Sequence, residues 1–201
     1  MVQQEQSVVT PERYAKGKTY AEYVGGIERN RARFDENYAA MAVSAEDAAT
    51  LKALMAKPGG PSKIMVIGED WCPDVFRGAA VFQRVAEATG IEIRFFERDQ
   101  NKDIMGEFLK DGEHESIPVA VFYNDAMEEL CRFIERPQLA YQEMRTVLRP
   151  MYEAMRKPDK TPEEAAAAKQ ANIDFQNGPV WANWRQETVR EVIAALKAKL
   201  S

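Results

Sequence analysis

The spacing of apolar residues changes twice along this chain, and each change marks a predicted element. From Thr10-Pro11 onward, apolar side chains recur every three, four or seven residues, which is typical of one face of a helix. This stripe consists of Tyr20, Tyr23, Val24, Ile27, Phe34, Tyr38 and Met41. Ser44, with Asp47 three residues later, predicts a second helix start, while residues 1–10 are expected to form a frayed tail.

The run Pro58-Gly59-Gly60-Pro61 ends the helical pattern and predicts a boundary with a central segment. Strands and helices are then expected to alternate. The predicted elements are a buried strand at 64–67, a helix closing at Thr89-Gly90, a half-buried strand at 91–95, a short helix at 104–109, and a hairpin of strands at 119–123 and 130–134. The first two strands, with a helix between them, are expected to be parallel.

Helical spacing returns after the hairpin in three stretches. The first carries Met144, Val147, Leu148, Met151, Tyr152 and Met155, the second is a short helix starting at Thr161-Pro162, and the third carries Trp181, Trp184, Val189, Val192, Ile193 and Leu196. We expect the last face to pack on the central segment or the N-terminal arm, with a homodimer or partner surface as the alternative. The predicted division is an N-terminal helical arm (1–59), a central domain (60–157) and a C-terminal extension packed on the core (158–201).

Composition narrows the class of protein. A chain of 201 residues with 45% hydrophobic content can build one full core with additional elements. The formal charge of -5, without a basic block, argues against nucleic-acid and acidic-membrane binding. No apolar run approaches the ~20 residues of a membrane span, and the first residues do not resemble a secretory signal. The expectation is a soluble cytoplasmic protein with free thiols and no cofactor.

The candidate chemistry is centred on Trp71-Cys72-Pro73-Asp74, which follows the first predicted strand and precedes a helix. A sulfur at a helix N-terminus faces unpaired N–H groups and the positive end of the dipole, and both favour the reactive thiolate. Valine occupies position 75, where a dithiol motif would have its second cysteine. Cys72 is therefore interpreted as a single nucleophile or, alternatively, as a structural remnant of a lost redox site.

Charged side chains close to Cys72 in the sequence should also affect the pKa of its thiol. Glu69, Asp70 and Asp74 would raise the pKa of the thiol and so oppose the helix dipole, and Arg77 could offset one of these carboxylates. These side chains are the predicted modulators of the Cys72 pKa.

The other potentially reactive side chains are weaker candidates. In the predicted hairpin Cys131 falls opposite Val121, ~10 Å from Pro118 along the sheet, whereas a disulfide needs Cα atoms closer than ~7 Å, so no bond to Cys72 is expected. His114, the only histidine, is interpreted as a solvated loop residue, with an acid–base or substrate contact as the alternative. One histidine and two distant cysteines offer no closed set of ligands, so no metal site is expected.

The element order β-α-β-α-β-β-α, together with Trp71-Cys72-Pro73-Asp74 and Ser116-Ile117-Pro118-Val119, resembles thioredoxin over residues 60–157. The similarity is to a bacterial thioredoxin family with helical extensions and a degenerate single-cysteine site. It implies a thioredoxin-like α/β fold, with a mixed sheet flanked by helices and a cis Ile117–Pro118 bond lying against Cys72. It also implies a substrate groove formed by Trp71, Pro73, Asp74, Ile117 and Pro118.

Two functions follow as hypotheses. In the first, Cys72 attacks a protein or low-molecular-weight disulfide, and an external thiol such as glutathione releases the mixed disulfide. In the second, the chain is a non-catalytic thioredoxin-like module that binds a protein through the groove or the added helices. A Cys72 pKa near or below 7 would favour the chemistry, and one above ~8.5 would favour binding.

Overall fold

In a computed structural model of the chain, residues 7–144, 146 and 149–201 are described. A mixed sheet at the centre has the strand order β2-β1-β3-β4, with β1 (Lys63–Gly68), β2 (Glu92–Glu97), β3 (Val119–Tyr123) and β4 (Glu129–Ile134). The two parallel strands are β1 and β2, while β3 runs antiparallel to both β1 and β4. The described helices are α1 (Pro11–Tyr14), α2 (Tyr20–Gly25), α3 (Arg31–Ala40), α4 (Ala45–Met55), α5 (Pro73–Thr89), α6 (Lys102–Gly106), α7 (Gln138–Glu143), α8 (Arg149–Arg156), α9 (Pro162–Asn177) and α10 (Pro179–Lys199).

The central elements agree with the hydrophobic pattern. All four apolar residues from Ile64 to Ile67 in β1 are at most 1% exposed, because β1 lies between two strands and is covered on both faces. Gly90 ends α5 with φ +84°, a left-handed conformation that glycine adopts without steric cost. The predicted thioredoxin-like arrangement of strands and helices is confirmed.

The spacing of the N-terminal stripe predicts one continuous helical face, but the structure has three separate helices in this region, α1, α2 and α3. After α1, Lys18 exchanges two backbone hydrogen bonds of 2.8 Å with Phe95 of β2, so the chain runs extended along that edge of the sheet. A Cβ at Gly17 would lie 2.6 Å from the Phe96 ring, so the close approach requires glycine. Pairing with the sheet edge at Lys18 outweighs helix propensity and separates α1 from α2. The stripe itself is divided between α2 and α3, since α2 ends at Gly25 and Asn30, just before α3, has a left-handed φ of +59°. The helix predicted to start at Ser44 is confirmed, since Ser44 caps α4.

The predicted frayed tail is partly corrected. Residues 1–6 lie outside the described part of the chain. Residues 7–10 are docked: the Ser7 hydroxyl donates a hydrogen bond of 2.6 Å to Glu107, Val9 is buried, and Thr10 caps α1.

The hairpin register differs from the prediction by one residue. Cys131 pairs with Phe122 rather than Val121, because the ladder shifts between Phe122 and Tyr123. Such a bulge places an extra residue in one strand and cannot be counted from the loop length alone. The helix predicted over 104–109 is also shorter, since α6 ends at Gly106 and turns follow.

Three helices of the C-terminal region pack together. Of the predicted 144–155 stripe, Val147 and Leu148 lie outside the described residues, and the rest is divided between the end of α7 and α8. The predicted short helix is the 16-residue α9, capped by Thr161 and Glu164. The apolar face of α10 packs on α4, α5, α9 and β4, as its spacing predicts. Among the described helices, none is both long and apolar enough to cross a membrane.

Candidate functional site

Cys72 is the residue immediately before α5 and follows the loop that leaves β1. Its thiol lies 3.6 Å from the backbone carbonyl oxygen of Ile117, to which it donates a hydrogen bond. The Ile117–Pro118 peptide bond is cis, as the resemblance implies. The sulfur, the start of α5 and the loop entering β3 therefore meet at one point.

Two glycines allow this close approach, and the sequence pattern did not single out either. A Cβ at Gly78, on α5, would lie 2.7 Å from Cγ of Pro118. A Cβ at Gly68, at the end of β1, would lie 2.7 Å from Cγ1 of Val75. The site thus requires residues without a side chain at two positions, Gly78 against the Pro118 ring and Gly68 against the Val75 side chain.

Burial dominates the electrostatics of the thiol. It raises the pKa of Cys72 to about 11, and the negative charge of Asp74 adds to the rise. The N–H groups of Val75 and Asp74 and the positive charge of Arg136 act in the opposite direction. Desolvation is stronger than these effects, so the thiol is protonated at neutral pH in this conformation.

The charges acting on the thiol agree only in part with those that the sequence predicts, since Asp74 is among them and Arg136 is an addition. Arg77 is fully buried and its guanidinium lies 2.8 Å from the Asp74 carboxylate. Arg136, which the sequence reasoning missed, lies 2.6 Å from the other oxygen of Asp74. The pairing of β3 with β4 places the residues after β4 beside Pro118, since the Glu135 N–H donates a hydrogen bond of 2.7 Å to the Pro118 carbonyl. The predicted hairpin of β3 and β4 was therefore the sequence feature that could have placed Arg136 near the thiol.

A cavity of about 240 Å³ lies beside the thiol. Its walls combine the start of α5 with side chains of the C-terminal helices; they are Cys72, Pro73, Asp74, Arg136, Tyr152, Met155, Asn172, Phe175, Gln176, Trp181 and Trp184. The C-terminal extension therefore covers the cysteine. The sequence predicts that this extension packs on the core but does not indicate which face it covers.

Comparison with known proteins agrees with this geometry. The model of a family described as Thioredoxin matches residues 17–154. This chain belongs to the thioredoxin family. The match begins within the helices before β1 and ends in α8, so α9 and α10 lie beyond it.

Two solved structures share the fold of this thioredoxin-family chain. One is a protein of unknown function from Pseudomonas aeruginosa, with a TM-score of 0.62 and 17% identity, covering 92% of this chain and 95% of the other. The second is an HIV epitope-scaffold, with a TM-score of 0.63 and 17% identity, covering 96% of this chain and 99% of the other. No curated protein matches the chain.

Trp71 does not line the cavity beside the thiol. Its side chain is 43% exposed and lies under the Arg98 guanidinium, 5.0 Å from the ring centroid. It lines a separate cleft of about 400 Å³, together with Glu69 and Asp70. Those two carboxylates accept hydrogen bonds from backbone N–H groups in that cleft and are not among the main charges acting on the Cys72 pKa.

The remaining candidates lie apart from the thiol. Cys131 is a free cysteine in β4, and burial raises its pKa to about 12. His114 is an exposed turn residue whose backbone pairs with Lys110. Within the described ranges, no group of histidine, cysteine, aspartate and glutamate side chains has the arrangement of a metal site.

Proposed function

We propose that this thioredoxin-family protein acts through Cys72 as a single-cysteine thiol–disulfide exchange protein. One observation carries the proposal: the thiol lies at the start of α5, 3.6 Å from the carbonyl that precedes cis-Pro118. The N–H groups of Asp74 and Val75 favour negative charge on the same sulfur. These are the groups that an attacking thiolate needs in order to form and to be oriented.

The proposed reaction has two exchanges. The Cys72 thiol loses its proton to solvent, and the thiolate attacks one sulfur of a disulfide; a new S–S bond forms, the old one breaks, and the departing thiolate takes up a proton. A low-molecular-weight thiol then attacks the mixed disulfide, which restores the Cys72 thiol and leaves a new disulfide. The second step requires an external thiol because residue 75 is valine and Cys131 pairs with Phe122 in the sheet.

The pKa of about 11 sets the expected rate of this chemistry. At pH 7 only about one molecule in 10⁴ carries the thiolate in this conformation. The main cause is burial, to which the covering helices contribute through Tyr152, Phe175 and Trp181 in the cavity wall. Exchange is therefore expected to be slow at neutral pH and to become faster as the pH rises.

The second candidate function is a non-catalytic thioredoxin-like binding module. The raised pKa of Cys72 favours it, and so does the coverage of the thiol by the protein's own helices. In this alternative, Cys72 is a buried side chain that packs and does not react.

A reaction with glutathione disulfide separates the two functions. In full-length Cys131→Ser protein, Cys72 should form one adduct that dithiothreitol removes, detected by mass spectrometry, at a rate that increases up to about pH 11. Protein carrying Cys72→Ser as well should form none. If the folded protein forms no adduct at about pH 10, while urea-unfolded protein does so rapidly, the exchange function is wrong and the binding module is favoured.

A further inference from the structure

The cleft beside Trp71 is a second concave site, separate from the cavity at the thiol. It measures about 400 Å³ and lies between the end of α2, the loop before Cys72 and the end of β2. Its lining is strongly acidic and consists of Tyr23, Gly26, Ile27, Glu28, Arg29, Glu69, Asp70, Trp71, Glu97, Asp99 and Gln100.

Two of these carboxylates are held in place by backbone groups. Glu69 accepts a hydrogen bond of 2.7 Å from the N–H of Asp99, and Asp70 accepts bonds of 3.2 and 2.9 Å from the N–H groups of Glu28 and Arg29. In the described part of the chain, no lysine or arginine lies within ion-pair distance of either carboxylate. Both carboxylates are therefore held at the cleft without an ion pair to any described residue, while the positive charge of Arg98 acts on Glu69 from further away and opposes the rise in its pKa that burial causes.

Two of the other acidic side chains already have cations, and the third, Glu28, is exposed. Glu97 pairs with Lys18, and Asp99 pairs with Arg98 and Lys102. The one basic residue in the lining is the exposed Arg29. Among the described residues, the unpaired carboxylates of the lining are thus Glu69, Asp70 and the exposed Glu28, and of these Glu69 and Asp70 are the two held by backbone N–H groups.

Tyr23 supplies the second and independent observation. Its side chain is only 3% exposed, yet its buried hydroxyl has no hydrogen-bond partner. A buried hydroxyl without a partner has lost its hydrogen bonds to water, so a partner delivered by a ligand would recover that cost. Tyr23 lines the cleft together with Glu69, Glu97 and Asp70, and after burial these three carboxylates are the main causes that raise the pKa of its hydroxyl.

A primary ammonium group matches these three acceptors. It carries three N–H donors, which Glu69, Asp70 and the Tyr23 hydroxyl can accept. An alkyl chain attached to it would lie along the apolar surfaces of Trp71 and Ile27 at the rim. A planar guanidinium binds best to both oxygens of one carboxylate, but one oxygen of each of these carboxylates already accepts backbone N–H groups. An ammonium is compact and adapts to single acceptors from different directions.

We propose that this cleft binds a primary alkylammonium group, supplied by a lysine side chain of a partner polypeptide. The proposal goes beyond the exchange function, since binding requires no reaction at Cys72. The Cys72→Ser protein should therefore bind the same probe with unchanged affinity, so a failure of the exchange function leaves this site intact.

Trp71 provides a direct readout, because Trp181 and Trp184 are only 4% and 1% exposed. The probe is an acetylated and amidated Gly-Gly-Lys-Gly-Gly peptide, compared with the same peptide carrying norleucine in place of lysine. At low ionic strength the lysine peptide should reduce acrylamide quenching of the tryptophan fluorescence, and the norleucine peptide should not. Equal protection by both peptides would overturn the proposal, because the cleft would then recognise only the alkyl chain.

Variants test the acceptors separately. Asp70→Asn and Glu69→Gln keep the backbone hydrogen bonds but lose the charge, and each should weaken binding of the lysine peptide about tenfold. Tyr23→Phe should weaken it severalfold without lowering the melting temperature, since the hydroxyl has no partner to lose. Glu113→Gln, on an exposed turn, is the matched control and should bind as the parent does.

A further binding experiment, with a small amine as the probe, distinguishes the source of the ammonium group. Free n-butylammonium should bind more weakly than the peptide if a polypeptide is the partner, and as tightly as the peptide if a small amine is the ligand. The second result would overturn the polypeptide assignment. Unchanged affinity in both Asp70→Asn and Glu69→Gln would overturn the ammonium site itself.

Discussion

The carboxylate of Asp74 accepts a hydrogen bond of 2.6 Å from the guanidinium of Arg136, joining the first turn of α5 to the segment after β4. Asp74 also pairs with the fully buried Arg77, so one carboxylate serves two cations next to Cys72. The charges of Asp74 and Arg136 shift the pKa of the thiol in opposite directions. Their balance, together with burial, determines how much thiolate the protein holds.

Neutralising each partner should therefore move the Cys72 pKa in opposite directions. Asp74→Asn keeps a hydrogen-bond acceptor for the arginines but removes the negative charge, so the pKa should fall below that of the parent protein. Arg136→Gln should raise it. The measurement is the pH dependence of Cys72 alkylation in Cys131→Ser protein, with folding checked by circular dichroism at each pH.

The exposed Arg190→Gln is a matched control for loss of one positive charge, and it should leave the alkylation profile unchanged. The electrostatic account is wrong if Asp74→Asn and Arg136→Gln shift the profile in the same direction. In that case changes in burial outweigh the charges.

Val75→Cys should increase disulfide reductase activity measured by insulin reduction with dithiothreitol. A cysteine three residues after Cys72 could release a trapped substrate within the same molecule, at a high effective concentration. Val75 is fully buried against Gly68, so the smaller cysteine should fit at a cost of about 1 kcal/mol in the free energy of unfolding.

Val81→Cys supplies the comparison, since Val81 is equally buried on α5 but six residues further from the start of the helix. It should show the weak activity of the parent protein. Equal gains from both substitutions would show that extra thiol content, rather than a resolving cysteine, raises the activity.

Gly78→Ala should destabilise the protein, although alanine normally stabilises a helix relative to glycine by up to about 1 kcal/mol. The new methyl group would lie 2.7 Å from Cγ of Pro118, so the helix or the loop before β3 must shift. The free energy of unfolding from urea titration should fall by about 1–3 kcal/mol. Gly106→Ala, where a Cβ meets open space, should leave stability unchanged or increase it slightly.

The parts of the fold that depend on local patterns were accessible from the sequence. The apolar run of β1 and the left-handed Gly90 after α5 each require one kind of structure at one place. The two motifs at Cys72 and Pro118 then indicated the thioredoxin-like arrangement, and the cis bond agrees with it. The exact pairing of residues between strands was harder to predict from the sequence. The bulge that moves Cys131 opposite Phe122 is the example.

The surroundings of the candidate site depended on packing between distant segments. Arg136 reaches Asp74 only because β4 returns beside the start of β3. Helical spacing identified the buried face of α10, but spacing carries no information about which surface a helix covers. The cavity at Cys72 and the buried hydroxyl of Tyr23 therefore emerged only in three dimensions.

Removing residues 1–57 should leave a protein without fixed tertiary packing. This segment contributes Tyr23, whose ring stacks on Phe95 at 5.4 Å, and Phe34, whose ring meets Phe76 edge-on at 5.9 Å. Burial of several such side chains contributes several kcal/mol at about 25 cal/mol per Å², comparable with the whole stability of a domain. The deletion would also expose the edge of β2 that pairs with Lys18.

The expected product retains far-ultraviolet circular dichroism, loses the near-ultraviolet signal and binds a hydrophobic dye. Phe34→Ala in the full-length chain is a milder comparison and should lower the free energy of unfolding by about 3–5 kcal/mol while keeping a cooperative transition. Cooperative melting of the deletion variant near the full-length temperature would contradict the prediction. The N-terminal helices would then be a detachable element, and the binding-module function would gain support over thiol exchange.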